Sequence, residues 1–265
     1  MHKPLNRQAH VWLLAGTGEG PVIASALLQR QMRVSVSVVT ESAGRVYRSL
    51  PLSNLWVGPL AGPEAISSRL QRAGIDQLVD ATHPFATQIT AHLQQASQRS
   101  GCPLLRFERL LEPSAESCVL ESVAEVPPEA LRGKRLLLAV GARCLSQLVP
   151  PLRAAGAELY ARVLPTPQAL RQAVAAGLPD AHLALIHPGQ ATQPGALEQA
   201  LCRYWSIQSV LCRQSGGVTE RCWHQVSSQL SLPLWLLRRP NPPPSLALVH
   251  SVEDLLARVT KPPLA

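Results

Sequence analysis

The sequence contains no long hydrophobic run. In its 265 residues no uninterrupted apolar stretch approaches the ~20 residues that a membrane-spanning helix needs. The first seven residues, Met1–Arg7, are not followed by the apolar segment that is typical of a secretory signal peptide. We therefore expect a cytoplasmic protein that has no membrane partner.

Cysteine motifs for metal binding or redox chemistry are also missing. The six cysteines are scattered and form no C-x-x-C pair, which argues against both a zinc site and a redox dithiol. Reduced and mostly buried thiols fit this spacing better. We expect no metal site.

Aromatic residues and lysine are scarce. Two Phe, three Tyr and five Trp leave little of the aromatic interleaving that nucleic-acid-binding surfaces use, and no basic run is present. Three of the 25 basic residues are lysine, and the net charge is +8. Because arginine binds carboxylates through two parallel hydrogen bonds, an acidic small molecule is a better partner than nucleic acid. A GC-rich genome would produce the same arginine bias, so composition alone does not separate the two explanations.

Short apolar strands alternate with amphipathic segments of helical length. The sequence predicts strands at 10–15, 34–39, 55–57, 77–81 and 103–107, and again at 136–140, 158–163, 182–186, 209–211 and 234–237. This alternation is typical of βαβ units and parallel sheets. We therefore predict an α/β fold with two Rossmann-like domains of mainly parallel sheet, at residues 1–130 and 131–265. Ligands would bind in an interdomain cleft, beyond the carboxyl ends of the strands.

A glycine-rich turn joins the first strand to the first helix. Gly16, Gly18 and Gly20 are separated by Thr17 and Glu19, so that backbone N–H groups and the helix N-terminus could hold a phosphate. The pattern is G-x-G-x-G rather than the dinucleotide signature G-x-G-x-x-G, and a turn that needs glycine only for its backbone angles is the alternative. We predict that Gly16, Thr17, Gly18 and Glu19 bind a cofactor.

The end of the second strand contacts the ribose of a bound dinucleotide in Rossmann folds. Here Thr40, Glu41, Ser42 and Arg45 follow that strand. An acid suits an unmodified ribose, whereas arginine and hydroxyl groups suit a 2′-phosphate, and both chemistries are present. We predict that Thr40, Ser42 and Arg45 bind the cofactor, with a solvated helical face as the alternative for Arg45.

The segment 80–86, Asp-Ala-Thr-His-Pro-Phe-Ala, places an acid, a hydroxyl and an imidazole at the end of a strand. Polar residues at the carboxyl end of a parallel strand are often functional. We predict that His83, Thr82 and Asp80 form the catalytic group. For Asp80, a role as an anchor of the turn is the alternative.

Polar residues also follow the strands of the second half. Arg213, Ser215 and Gly216 come after one strand, Arg221 lies in the first turns of the next helix, and Arg239 follows the last strand. Arginines at such positions can anchor the carboxylates of a ligand. We predict that these five residues bind the substrate.

Taken in order, these segments resemble the precorrin-6A reductase family of vitamin B12 biosynthesis. The resemblance rests on the glycine turn, the segment 80–86, Arg106-x-x-Arg109 with Glu108, the segment 162–165, Ser215-Gly216-Gly217 and Arg239-Pro240. It spans residues 11–240. It implies two Rossmann-like domains, NADPH bound mainly by the first, and a polyanionic tetrapyrrole in the cleft between them.

The resemblance further implies reduction of one macrocyclic double bond in precorrin-6A or cobalt-precorrin-6A. Arg213 and Arg221 stand where the family often has lysine, and since arginine does not release its proton, a proton-donating role is not implied for either. We expect a monomer or a weak homo-oligomer.

Two other functions are compatible with such a sequence. The glycine turn would also suit an S-adenosylmethionine-dependent tetrapyrrole methyltransferase, although the segment 80–86 and the second Rossmann-like half argue against it. A non-catalytic tetrapyrrole-binding protein is the other alternative.

Overall fold

The computed structural model describes residues 8–112, 117–187 and 193–259. The chain divides into two compact units, one formed by residues 1–109 with 240–265 and the other by residues 110–239. The first seven residues, which bear on the signal-peptide expectation, lie outside the described ranges. Within those ranges no helix is long and apolar enough to cross a membrane.

The first unit contains one six-stranded parallel sheet. Its strands are β1 (His10–Ala15), β2 (Arg33–Val38), β3 (Asn54–Val57), β4 (Gln77–Ala81), β5 (Leu104–Phe107) and β12 (Ala247–Val249). They lie in the order β3-β2-β1-β4-β5-β12, and all pairs are parallel. This is the strand order of dinucleotide-binding Rossmann folds, in which ligands bind where the order reverses, here beyond β1 and β4.

Helices cover both faces of this sheet. They are α1 (Gly20–Gln29), α2 (Glu41–Gly44), α3 (Pro63–Ala73), α4 (Thr87–Ser100) and α10 (Val252–Val259). Side chains of β1 alternate between the faces, so that Val11 and Leu13 pack with α1 and α10, whereas Trp12 and Leu14 pack with α3 and α4. Because β1 is buried on both faces, its sequence after His10 is a continuous apolar run.

The second unit repeats this plan. Its strands are β6 (Ser117–Leu120), β7 (Arg135–Ala139), β8 (Glu158–Val163), β9 (Leu183–Leu185), β10 (Ser209–Arg213) and β11 (Leu234–Leu237). Its helices are α5 (Pro128–Leu131), α6 (Leu145–Ala154), α7 (Pro167–Ala175), α8 (Ala196–Tyr204) and α9 (Gly217–Leu230). The parallel sheet has the order β9-β8-β7-β10-β11-β6. The predicted fold class, α/β with two Rossmann-like units of parallel sheet, is confirmed.

Each sheet takes its sixth strand from outside its own consecutive run. β12 follows the second unit in the chain yet pairs with β5, where Val249 is the partner of Phe107. β6 precedes the other strands of the second unit and pairs with β11, where Leu120 is the partner of Leu237. Each unit is therefore completed by a strand that a simple division of the chain would assign to the other.

The observed boundaries lie at residues 109/110 and 239/240 and differ from the predicted single boundary after residue 130. Residues 110–130 contain β6, and the chain beyond 240 contains β12 and α10, whose Leu255 and Leu256 lie in the core of the first unit. Hydrophobic periodicity identifies a strand but not the sheet edge with which it pairs. Pairing of distant edges is a long-range contact that the local pattern does not encode.

Candidate active site

The glycine turn of the first unit lies against the loop that follows β4. The hydroxyl of Thr17 donates a hydrogen bond to the carbonyl of Ala81 at 3.3 Å. A Cβ atom on Gly16 would lie 3.4 Å from the backbone of Thr82 and of His83. The predicted cofactor turn and the predicted catalytic loop are therefore neighbours at the carboxyl edge of one sheet.

Gly18 and Gly20 differ in what surrounds them. A Cβ on Gly20 would overlap the hydroxyl of Tyr47 and lie 2.9 Å from Cβ of Ala15, so close packing of helix on strand requires glycine there. A Cβ on Gly18 would meet no atom of the described chain within 4 Å, and the φ angle of Gly18 lies outside the left-handed region. Neither packing nor backbone conformation therefore requires glycine at position 18. Open space beside the start of α1 is what a bound phosphate needs.

The position that would face a cofactor ribose follows β2. Thr40 caps α2, since its hydroxyl accepts a hydrogen bond from the backbone N–H of Ala43 at 3.2 Å and lies 3.0 Å from the hydroxyl of Ser42. Thr40, Ser42 and Arg45 are all exposed. The neighbouring acid, Glu41, forms an exposed ion pair with Arg48 at 3.2 Å.

Asp80 is fully buried and accepts four hydrogen bonds. One carboxylate oxygen accepts from the backbone N–H of Thr82 at 3.0 Å and from its hydroxyl at 2.7 Å. The other accepts from the hydroxyl of Thr90 and from Arg106, each at 2.7 Å. With both oxygens engaged, the carboxylate of Asp80 fixes the position of Thr82 at the start of the loop, as the anchoring alternative describes.

Arg106 links Asp80 to a second buried acid. Its Nε donates to Glu108 at 2.7 Å, while its terminal nitrogen holds Asp80 and lies 2.9 Å from the hydroxyl of Thr90. Burial disfavours the guanidinium charge, but the two carboxylates outweigh it and raise the pKa of Arg106 above its ordinary value. The group is thus a buried acid–arginine–acid chain that includes the anchor of the predicted catalytic loop.

The sequence prediction did not include Arg106 among the site residues, although a signal was present. It is the one charged residue in β5, Leu104-Leu105-Arg106-Phe107, and it pairs in register with Asp80 of β4. A charge inside a short apolar strand needs a partner when it is buried. The neighbouring strand supplies that partner.

His83 has a defined orientation within the loop. Its Nδ1 accepts a hydrogen bond from the backbone N–H of Phe85 at 3.2 Å, and the two rings lie 5.8 Å apart. A neutral imidazole in this arrangement carries its proton on Nε2. The ring is half-buried, and the hydrogen bond within the turn leaves Nε2 as the nitrogen that can donate.

Glu19, in the glycine turn, forms an ion pair with Arg109, which follows β5. The shortest distance is 2.5 Å, and the side chains are 28% and 16% exposed. Burial is the largest single influence and tends to raise the pKa of Glu19, but the hydrogen bonds from Arg109 and Thr17 and the charge of Arg109 together outweigh burial and lower the pKa below its ordinary value. Glu19 is therefore ionised at neutral pH and paired with a cation.

In the second unit, two successive backbone N–H groups between β10 and α9 each donate to a carboxylate of the protein. Gly216 and Gly217 have φ angles of +66° and +77°, which favour glycine. The N–H of Gly216 donates to Glu220 at 2.6 Å, and the N–H of Gly217 donates to Glu112 at 3.0 Å. The same oxygen of Glu112 accepts from Arg221 at 2.5 Å. A carboxylate of the protein itself therefore lies at the start of α9.

The three arginines predicted to bind substrate lie in different surroundings. The side chain of Arg221 is 57% exposed. Arg239 is buried, and its Nε donates to the carbonyl of Gln214 at 3.2 Å, which supports the 213–217 loop. Arg213 lies over the turn at Gly141, and burial lowers its pKa from the ordinary value.

Comparisons with known proteins agree on one family. The family model of precorrin-6x reductase CbiJ/CobK matches residues 10–260. The chain is 37% identical to a cobalt-precorrin-6A reductase of Synechocystis over 238 residues, which are 88% of this chain and 89% of the relative. It is 29% identical to a precorrin-6A reductase of Mycobacterium tuberculosis over 245 residues, 91% of this chain and 93% of the relative.

A solved structure described as CobK precorrin-6A reductase has the same fold. The TM-score is 0.75, and the match covers 95% of this chain and 96% of that one at 22% sequence identity. Both Rossmann-like units are therefore shared with that structure.

Proposed function

Since the chain belongs to the CbiJ/CobK precorrin-6x reductase family, we propose that it catalyses the NADPH-dependent reduction of a macrocyclic double bond in precorrin-6A or its cobalt form. This reaction is a step of cobalamin biosynthesis. The protein is a reductase, and the nicotinamide cofactor and the tetrapyrrole are the two ligands that its units would bind.

The observation that carries the cofactor assignment is the open space beside Gly18. Three features fit a dinucleotide. The strand order reverses at β1 and β4, a helix begins at the glycine turn, and packing does not require glycine at position 18. Gly16, Thr17, Gly18 and Glu19 would surround the diphosphate. Thr40, Ser42 and Arg45 would hold the ribose and its 2′-phosphate. Arg48 neutralises the neighbouring acid Glu41, which would otherwise repel that phosphate, and this supports NADPH over NADH as the ligand.

When bound, the cofactor supplies a hydride to one carbon of the conjugated double bond, and a proton completes the reduction at the adjacent carbon. The protein residues orient the reacting groups. Asp80 and Arg106 hold Thr82, and the Phe85 N–H holds His83, so that the loop after β4 presents a hydroxyl and an imidazole in fixed positions. We assign His83 and Thr82 to contact with the reacting edge of cofactor or substrate, and Asp80 to positioning.

The second unit would bind the carboxylate groups of the substrate. Arg221 and the N–H of Gly217 already hold a carboxylate, that of Glu112, which demonstrates the chemistry that such a ligand needs. Arg213 ends β10, Ser215 and Gly216 lie in the loop that follows, and Arg239 supports this loop. We therefore assign Ser215, Gly216 and these arginines to the acetate or propionate groups of a tetrapyrrole.

A thermal-shift measurement with NADPH, NADH and S-adenosylmethionine tests the cofactor assignment. A ligand that binds the native state raises its melting temperature by mass action, and we expect NADPH to raise it most. A selective response to S-adenosylmethionine would instead support a methyltransferase.

Turnover tests the reaction. NADPH oxidation is followed at 340 nm with precorrin-6A and with its cobalt form, and we expect oxidation to depend on one of them. Binding of tetrapyrrole without NADPH oxidation would contradict the reductase assignment and favour a carrier.

A further inference from the structure

The glycine turn contains an acid where a dinucleotide's diphosphate would lie. Glu19 is the residue immediately before α1, and its carboxylate is ionised. A helix N-terminus attracts negative charge through its exposed N–H groups, so Glu19 and a diphosphate would compete for the same favourable potential. At physiological ionic strength charges repel one another over about 8 Å. An uncompensated Glu19 would therefore oppose cofactor binding.

Arg109 supplies the compensating charge. Its guanidinium reaches the Glu19 carboxylate from a position 90 residues further along the chain, beyond the end of β5. Its neighbour Arg106 has a different function, since that side chain is 3% exposed and ties together two buried acids. The pair between Arg109 and Glu19 is less deeply buried, at 16% and 28% exposed, and its acid directly follows Gly18 in the sequence.

We propose that Arg109 determines cofactor affinity as the counter-ion of Glu19, so that the glycine turn presents no net negative charge to the incoming diphosphate. This inference rests on the proposed function, because it requires NADPH to bind at the turn. The side chains of the pair are 16% and 28% exposed, so loss of Arg109 also leaves a mostly buried acid unpaired and lowers the stability of the fold. Ligand affinity is therefore compared among variants that are shown to be folded.

Four variants test the proposal: Arg109→Gln, Glu19→Gln, the double variant, and Arg109→Lys. The dissociation constant of NADPH is measured by isothermal titration calorimetry without tetrapyrrole, so that the readout does not depend on turnover. We expect Arg109→Gln to weaken binding about tenfold, because it leaves Glu19 uncompensated at short range. Arg109→Lys keeps the charge and should retain most of the affinity.

The double variant is the decisive comparison. Without either charge there is no repulsion to compensate, so its affinity should return to within about twofold of wild type. Glu19→Gln alone leaves Arg109 available to the phosphates and should tighten binding about threefold. The deficit of Arg109→Gln should shrink as salt is raised from 50 to 500 mM, because salt screens exposed charges.

Two controls separate this effect from a general loss of charge. Arg99→Gln removes an arginine of the same unit that pairs with Glu64 on the surface, and it should leave NADPH affinity unchanged. Adenosine 2′-phosphate lacks the diphosphate, so its affinity should not respond to Arg109→Gln.

The outcomes are distinguishable. If the double variant binds NADPH as weakly as Arg109→Gln does, Arg109 contacts the cofactor directly. If Arg109→Gln binds NADPH as tightly as wild type, the pair is structural. Either result overturns the proposal. Both leave the proposed function intact as long as the wild type binds and oxidises NADPH. Failure of the wild type to bind NADPH would instead remove the proposed function.

Discussion

The carboxylate of Glu112 and the guanidinium of Arg221 lie 2.5 Å apart at the N-terminus of α9. The same carboxylate oxygen accepts the N–H of Gly217. Arg221 is more than half exposed, whereas Glu112 is largely buried. The acid is therefore the fixed partner, and the arginine reaches it from the surface. If a substrate carboxylate binds here, Glu112 must release Arg221 first.

This relationship predicts opposite effects for two variants. Glu112→Gln removes the internal competitor, so it should tighten the binding of a polycarboxylate tetrapyrrole by about threefold to tenfold. Arg221→Ala should weaken it by a similar factor. Fluorescence titration with uroporphyrin, a stable tetrapyrrole with eight carboxylates, measures both.

The matched control for these variants is Arg171→Ala, which removes an exposed arginine from α7 of the same unit. We expect it to leave uroporphyrin binding unchanged. Equal losses for Arg221→Ala and Arg171→Ala would show that net charge, rather than the start of α9, governs binding.

The second prediction concerns Gly18. A Cβ there would meet no described atom within 4 Å, and the position needs no unusual backbone angle, so we expect Gly18→Val to fold with a melting temperature close to that of wild type. Its side chain would fill the space assigned to the diphosphate, so NADPH affinity should fall at least ~100-fold. Calorimetric titration of the folded variant is the measurement.

Gly20→Ala provides the contrast to Gly18→Val. Its methyl group would overlap the Tyr47 hydroxyl and crowd Ala15, so we expect it to destabilise the fold by about 1–3 kcal/mol. Full NADPH affinity in folded Gly18→Val would exclude the glycine turn as the diphosphate site.

The third prediction concerns the buried acid–arginine–acid chain. Arg106→Met leaves Asp80 and Glu108 buried without their cation, which should cost about 3–5 kcal/mol in the free energy of unfolding. Urea denaturation measures this. Arg48→Met, which removes an exposed pair with Glu41, should cost less than about 1 kcal/mol.

Much of the fold could be predicted because it is encoded locally. Strands such as β1 and β7 are apolar after their first residue, and the turns after them contain glycine, so the alternation of elements predicts parallel sheets. The edge strands β6 and β12 could not be assigned, because their partners β11 and β5 lie more than 100 residues away in the sequence.

The candidate site likewise contains features that the local sequence predicts and contacts that it does not predict. Glycines and polar strand ends are visible one by one in the sequence, which is why Gly18 and His83 could be predicted as candidates. The pairings of Glu19 with Arg109 and of Glu112 with Arg221 join residues 90 and 109 positions apart. No local pattern indicates such contacts, since each charged residue alone resembles an ordinary surface residue.

The last prediction concerns His83. Its Nδ1 accepts the N–H of Phe85, so the imidazole is oriented by the turn, and we expect it to position a reacting group rather than to act as an essential acid. His83→Ala should then lower the single-turnover rate of NADPH oxidation by ~10²-fold or less, whereas loss of a general acid typically costs ~10²–10⁴-fold.

The pH profile separates these two roles for His83. Single-turnover rates are measured from pH 5.5 to 9, which brackets the ordinary histidine pKa of about 6.5. If His83 is a positioning residue, its replacement lowers the rate across this range and leaves the shape of the pH profile unchanged. If His83 is a general acid, its replacement also removes one ionisation from the profile. His83→Gln keeps a hydrogen-bonding side chain and should recover part of the rate if position is what matters. Wild-type rates and unaltered binding of both ligands in folded His83→Ala would make the histidine a structural element of the turn.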